Sequence, residues 1–375
     1  MECKFLQHGM AIGYDQAVRP CCNWLSEPSW TQHNHHSQID ISGWHQTPQI
    51  LQPKKLLEQN QWPAACALCE KSEQQAREDS MRYNGAQAYS HYQPDDITLE
   101  IRPGSVCNFA CQTCWPEASS RVAQYHGQAG LIDIKQLNSQ AISNFDFLMD
   151  IKHRIKDVIL LGGEPFYDPN CKEFLRWARH NLDANITMFT NGSSIDWDWV
   201  DLYPGSVTMV FSIDAINRPA EYIRFGTAWP EVEQNFRRAL NHDRIRCRVN
   251  ITASVYNYAY IGDVIEFLLP VWPEVVSFGT PRSQHLLECV IPPQHRANIV
   301  HRLQTAQIAL AKSNIEINQR HNAINAVKSV IRNLHTQPWD QDQYKILQEF
   351  VIQMDRVKKI NVNDFCPELG SLLAE

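Results

Sequence analysis

From about residue 96 to 290, short apolar runs alternate with stretches whose apolar residues recur every three or four positions. The short runs predict strands at 97–101, 157–161, 184–190, 206–213, 246–255 and 274–279. The stretches between them predict helices at roughly 134–153, 170–181, 196–202, 230–241 and 261–270. Strand and helix in alternation imply parallel strands joined by right-handed crossovers, with ligands at the carboxyl ends of the strands. Beyond 291 the apolar spacing is helical, at 298–312, 327–334 and 340–354, and predicts a peripheral helical extension over 291–375. Residues 1–95 show little periodicity. They predict a small hairpin from 10–12 and 19–22, a short helix at 51–59 and a helical turn opening the polar stretch 72–82.

The first strand of the alternating region is broken by Pro103 and Gly104, and Cys107, Cys111 and Cys114 follow at spacings of three and two intervening residues. Thiolates are the usual ligands of iron–sulfur clusters. A cubane has four irons and this loop offers three thiolates, so one iron stays open to a small molecule. A structural zinc site would need a fourth protein ligand, and three unrelated cysteines within eight residues are hard to obtain by chance. The second strand, buried on both faces by its composition, runs into Gly162-Gly163-Glu164-Pro165.

These two motifs together resemble the radical S-adenosylmethionine (SAM) enzymes. The resemblance implies a partial (β/α)6 barrel over 96–290. It implies a [4Fe-4S] cluster on Cys107, Cys111 and Cys114, with SAM's amino and carboxylate groups on the open iron. It places Gly162, Gly163, Glu164 and Pro165 along the methionine amino group, where glycines let backbone approach a ligand. Many members carry an aromatic residue just before the third cysteine. This chain has Thr113, a departure that bears on packing against the adenine. Thr190 and Asn191 end the third strand in a turn sequence, and the resemblance puts them near SAM. Ser212 and Asp214 share a side of the fourth strand by its two-residue period, and family likeness puts them near the ribose or the substrate. Arg224 resembles an arginine that meets the SAM carboxylate, for which a guanidinium is suited. A strand-end cap and a surface arginine are the plainer readings of these last residues. Asn250 and Ser254, on the fifth strand, are further candidates to face the barrel interior.

Five cysteines lie before the barrel: Cys3, Cys21, Cys22, Cys66 and Cys69. This segment is similar to the SPASM and twitch auxiliary-cluster modules that accompany many radical SAM enzymes, here placed ahead of the barrel as in phage-type twitch-containing proteins. The resemblance implies a cysteine-rich module over 1–95. Cys3, Cys66, Cys69 and one of Cys21 or Cys22, with Cys21 favoured, would hold a second, fully protein-ligated [4Fe-4S] cluster. The same four residues would equally suit a structural zinc ion.

With 34 basic against 41 acidic residues and a net charge of −7, the composition argues against a nucleic-acid binder. No apolar run is long enough for a membrane helix, and the start lacks a secretory signal pattern, so a cytoplasmic protein is expected. Twelve cysteines without such a signal favour metal binding over disulfides. The resemblance implies a peptide or protein substrate and an electron donor such as flavodoxin or ferredoxin. The rivals are a radical SAM enzyme acting on a small metabolite or nucleotide, and a non-catalytic zinc-stabilised binding protein.

Overall fold

The computed structural model describes residues 1–374 except 28, 76, 78 and 79, three of which fall in the 72–82 stretch. Among the described residues ten strands occur in chain order: β1 Gly9–Ile12, β2 Val18–Arg19, β3 Ile97–Ile101, β4 Ala110–Cys111, β5 Ile155–Leu160, β6 Asn185–Thr190, β7 Val207–Ser212, β8 Arg224–Phe225, β9 Ile245–Thr252 and β10 Val275–Gly279. The protein is α/β and its main strands are mostly parallel, as a partial barrel requires. Two compact units make up the chain. One comprises Met1–Ser105, Asn138–Met188 and Asp198–Val207, the other Val106–Leu137, Phe189–Trp197 and Thr208–Glu375.

In the first unit β3, β5 and β6 pair in parallel. The amino-terminal hairpin is present: Ala11 faces Arg19 across the antiparallel β1–β2 pair. It does more than expected, because β1 also pairs in parallel with β3, Gly9 opposite Thr98 through Ile12 opposite Ile101. The segment before residue 96 therefore extends the sheet that carries the first barrel strand. Leu99, Ile101, Val158, Leu160, Ile186 and Met188 are fully buried. The helix Pro169–Asn181 buries Cys171, Phe174, Leu175 and Ala178, one face at three- and four-residue spacing.

In the second unit β9 and β10 pair in parallel. The helices Trp229–Leu240 and Ile261–Leu268 bury Trp229, Val232, Phe236 and Ala239, and Ile261, Val264, Ile265 and Leu268. The carboxyl-terminal region is helical, with Pro293–Lys312 starting earlier than expected, Ile317–Thr336 running past both expected ends and Gln341–Lys358 ending later.

One expected helix is absent. Residues 134–153 hold only three short turns, Ile134–Gln136, Asp146–Leu148 and Lys152–Arg154. Ile142, Phe145, Leu148 and Ile151 are buried, so the apolar periodicity was real. The backbone is satisfied elsewhere: Gln140 N–H donates to Tyr14 O at 2.8 Å and Ile142 N–H to Pro103 O at 2.7 Å. Tertiary hydrogen bonds displace the helix across a run containing Asn138, Ser139, Ser143 and Asn144, residues that favour turns over helix interiors. The helix after the cysteine loop is instead Ser120–Gln128, and a further one, Asn217–Ile223, follows β7.

Candidate active site

The three-cysteine loop lies in the second unit and is pinned at both ends. Cys107 N–H donates to Ser120 Oγ at 3.3 Å, and Arg121 Nη1 to Asn108 O at 2.8 Å. Ser119 caps the helix Ser120–Gln128 by accepting from Val122 N–H, and its hydroxyl donates to Phe109 O at 3.0 Å. Phe109 is buried and anchors the loop. Beyond it, β4 and β8 form a two-residue antiparallel ribbon, Ala110 opposite Phe225 and Cys111 opposite Arg224. Cys107 Sγ accepts from Phe109 N–H at 3.4 Å and lies 3.8 Å from Asn191 Nδ2.

All three cysteines are partly covered. Burial pushes the Cys111 and Cys114 thiols up, and for Cys114 the neighbouring Cys111 and Cys107 push further. Three thiolates crowded out of water need a cation to take their charge, and a metal cluster is such a cation. The donor set therefore fits an iron–sulfur cluster. Among the described residues, no group of three or more His, Cys, Asp or Glu side chains could hold one metal ion as it stands. A cubane spreads its thiolates over separate irons, so the two statements are compatible.

Arg224 and Asp214 form a buried pair beside this loop. Asp214, fully buried, accepts from Arg224 Nη1 at 2.8 Å and from Thr252 N–H at 2.7 Å. Arg224 keeps its charge because Cys111 and Asp214 outweigh burial. Among the described residues its buried Nε has no hydrogen-bond partner. Asn257, fully buried, donates to Asp214 O and Thr252 O, and so fixes the strand ends that carry the pair. Thr190 Oγ1 accepts from Gly192 N–H at 3.0 Å. Asn191 reaches Asn108 Oδ1 at 2.9 Å, which ties this turn to the cysteine loop. Gly192 has φ +75, and a Cβ there would meet the Phe211 ring at 2.9 Å. Ser212 is half-buried at the end of β7. Asn250 Oδ1 accepts from Ser277 Oγ at 3.1 Å, and among the described residues the fully buried Ser254 hydroxyl has no partner.

The 162–165 turn lies in the first unit. Gly162 has φ +138, and a Cβ on it would meet Gly104 O at 2.7 Å, so the position admits only glycine. Gly163 N–H donates to Gly104 O at 3.1 Å, and Tyr14 OH to Gly162 O at 3.4 Å. Glu164 and Pro165 are buried, and Asp168 caps the following helix through Asn170 N–H and Cys171 N–H.

The amino-terminal cysteines lie in the first unit. Cys66 ends a single turn, Ala64–Cys66, and Cys69 sits in the helix Ala67–Gln75 that follows at once. After burial, each of Cys3, Cys21 and Cys66 is pushed up by neighbouring thiols of the same set. Cys69 acts on all three, and Cys3 acts on Cys21 and Cys66. Cys22 faces other groups: burial and then Glu100 push it to about 12, and its Sγ lies 3.7 Å from Met81 Sδ.

Several of these contacts had no signal in the sequence pattern. Glu100 and Asn257 stand among residues read as ordinary strand or loop positions. Lys358 lies beyond the end expected for its helix. Its Nζ donates to Ala110 O at 3.0 Å and to Gln112 Oε1 at 3.1 Å, and burial pulls the ammonium down to about 8.

Among solved structures, the chain is similar to anSMEcpe with bound AdoMet and the Cp18Cys peptide, at 15% identity and a TM-score of 0.39. The match covers 57% of this chain and 60% of that one. It is also similar to Streptococcus suis SuiB bound to S-adenosylmethionine, at 14% identity and a TM-score of 0.37, over 75% and 64% of the two chains. TYW1 with a lysine-pyruvate adduct bound matches at 14% identity and a TM-score of 0.36, over 73% and 94%. The chain thus spans under two thirds of the length of the first two. No curated protein matches it. Among the described residues, no helix is long and apolar enough to cross a membrane. Residues 101–268, a little under half of the chain, match the family model of the Radical SAM superfamily. The matched stretch includes the cysteine loop and the 162–165 turn.

Proposed function

We propose that this protein uses a [4Fe-4S] cluster on Cys107, Cys111 and Cys114, together with SAM, to abstract hydrogen from a peptide or protein substrate. The observation that carries the reading is the three-thiol loop inside the matched domain, with the Arg224–Asp214 pair set against Cys111. When bound, the reduced cluster and SAM supply a 5′-deoxyadenosyl radical, leaving methionine. The protein's own part is to bind, orient and shield. Arg224 Nε offers its unused donor to the SAM carboxylate. The family resemblance assigns Glu164, buried at the glycine turn, to the ammonium, with Gly162, Gly163 and Pro165 in the same turn. Asp214 holds Arg224 in place. Thr190, Asn191 and Ser212 shape the adjoining strand ends.

In the same reading Cys3, Cys21, Cys66 and Cys69 hold a second [4Fe-4S] cluster. A buried Arg82, paired with Glu73 at 2.6 Å, lies close enough to favour thiolates at Cys3 and Cys66. The peptide class rests on the resemblance to SPASM and twitch enzymes, and the electron comes from a flavodoxin or ferredoxin.

Replacing Cys107, Cys111 and Cys114 together with Ala tests the core of this. Under dithionite, wild-type protein is expected to convert SAM to 5′-deoxyadenosine, and the triple variant to make none. Formation at the wild-type rate by the variant would refute the assignment.

A further inference from the structure

Lys358 is the last residue of the helix Gln341–Lys358 and exposes 8% of its surface. Its Nζ donates to the two residues that flank Cys111, Ala110 through the carbonyl and Gln112 through Oε1. The Phe225 and Tyr125 rings lie 5.2 Å and 5.8 Å away. The charged groups that bear on it are Cys111, Asp355 and Arg121. Asp355 spends its carboxylate on Tyr222 OH at 2.8 Å and Val362 N–H at 2.7 Å. Lys358 makes no ion pair among the described residues.

An ammonium this buried is costly without a counter-charge. Two neutral oxygens and two ring faces offset only part of that cost. The missing negative charge is what a thiolate-ligated cluster at Cys111 would bring. Such clusters take their reduction potential partly from nearby charge and hydrogen bonds. Reduction adds one electron, hence one negative charge. A fixed cation in a low-dielectric setting favours the more negative state. Gln112 deepens the point: it is 3% exposed, and among the described residues its buried Nε2 has no partner while its oxygen is held by Lys358. Lys358 thus dictates which way this amide faces on the loop between Cys111 and Cys114.

We propose that Lys358 is a positioning residue for the cluster loop, and that its charge raises the reduction potential of the cluster held there. This rests on the cluster reading of Cys107, Cys111 and Cys114. The helix Gln341–Lys358 lies outside the stretch matched to the family, so the device belongs to this chain's carboxyl-terminal extension.

The test is a redox titration followed by electron paramagnetic resonance on full-length protein reconstituted with iron and sulfide. The loop's cluster is identified as the signal that changes when SAM is added. Lys358→Met removes the charge and keeps the length. Lys358→Gln keeps amide donors and is the second variant should methionine disrupt folding. Lys358→Arg keeps the charge. The expected result is a potential shifted negative in the Met and Gln variants and near wild type in the Arg variant. Loss of the signal from Met and Gln with retention in Arg supports the proposal as well. An unshifted potential in Met or Gln at full iron content overturns it, and so does loss of the signal from all three. No SAM-responsive signal in the wild type would instead refute the cluster reading on which it stands.

Discussion

Asp214 and Arg224 show what burial demands of single residues near the thiols. Asp214 is fully buried and Arg224 nearly so, and each is the other's charge partner. Asn at position 214 would keep an acceptor for Thr252 N–H and remove the charge that balances the guanidinium. Breaking a buried pair from one side costs about 3–5 kcal/mol, because the remaining charge is left uncompensated. Urea unfolding of Asp214→Asn is expected to show a loss of that size, with the double variant Asp214→Asn, Arg224→Met losing less than the two singles combined. Strict additivity would mean the pair is not coupled. His45 is a residue-scale case far from this loop. Burial, opposed by its 3.0 Å bond to Gly9 O, holds the imidazole at about 4. An unfolded histidine titrates near 6.5, so below that pH the unfolded chain takes a proton that the folded one refuses. The stability His45 confers is complete above about 6.5 and is lost progressively towards 4. Gln at 45 can still donate to Gly9 O and does not titrate. The melting-temperature difference between wild type and His45→Gln should therefore move against wild type from pH 6.5 to 4; parallel curves would show that His45 does not titrate in this way.

At the scale of elements, the helix Ser120–Gln128 is the one on which the cysteine loop depends. Ser119 caps it and at the same time donates to Phe109 O, between Cys107 and Cys111. Ser119→Ala should cost about 0.5–2 kcal/mol, the usual range for a lost cap, and it also removes the donor to the Phe109 carbonyl. Hydrogen exchange should rise at 107–114 more than in the helix Pro169–Asn181, whose own cap, Asp168, is untouched; a uniform rise would show that the cap does not hold the loop. This helix was not legible in the sequence, since its apolar face amounts to Val122 and Ala123 beside a glycine-rich end. Residues 134–153 had the clearer helical spacing and form none, because Pro103 O and Tyr14 O take their backbone donors. Strands fared better. Ile97–Ile101, Asn185–Thr190 and Val275–Gly279 lie within a residue of expectation, because short β-branched runs closed by turn residues have few alternatives. Of the proposed site, the cysteines and glycines stand out in the sequence by spacing alone. The residues that orient them, Ser119, Asn257 and Lys358, do not, since a lone polar residue in a helix or loop carries no pattern until the chain is folded around it.

For the molecule as a whole, the question is what orders its first 95 residues. Few periodic apolar runs occur there, and much of the region is turn and short helix. Apolar burial is real but local: Trp44, Ile50 and Leu57 are fully covered, and β1 lies against β3. The four cysteines come from positions 3, 21, 66 and 69, so a cluster on them closes loops across most of this segment. Metal binding would then supply folding energy where the core is thin. Cys21 and Cys22 provide a matched pair for testing this, as adjacent thiols with different surroundings. Cys21 lies among Cys22, Cys3 and Cys69, whereas Cys22 faces Glu100 and Arg102. In the background of the Cys107, Cys111 and Cys114 triple alanine variant, reconstituted protein should hold about four irons per chain, the content of one cubane. Adding Cys21→Ala should remove that iron and raise hydrogen exchange through residues 1–95 more than in 155–190. Adding Cys22→Ala should leave both unchanged. If Cys22→Ala loses the iron while Cys21→Ala keeps it, the ligand is the other neighbour. If the background variant binds one zinc and no iron, the module is a four-thiolate zinc site, and the order it brings to the first 95 residues comes from a structural ion instead of a second cluster.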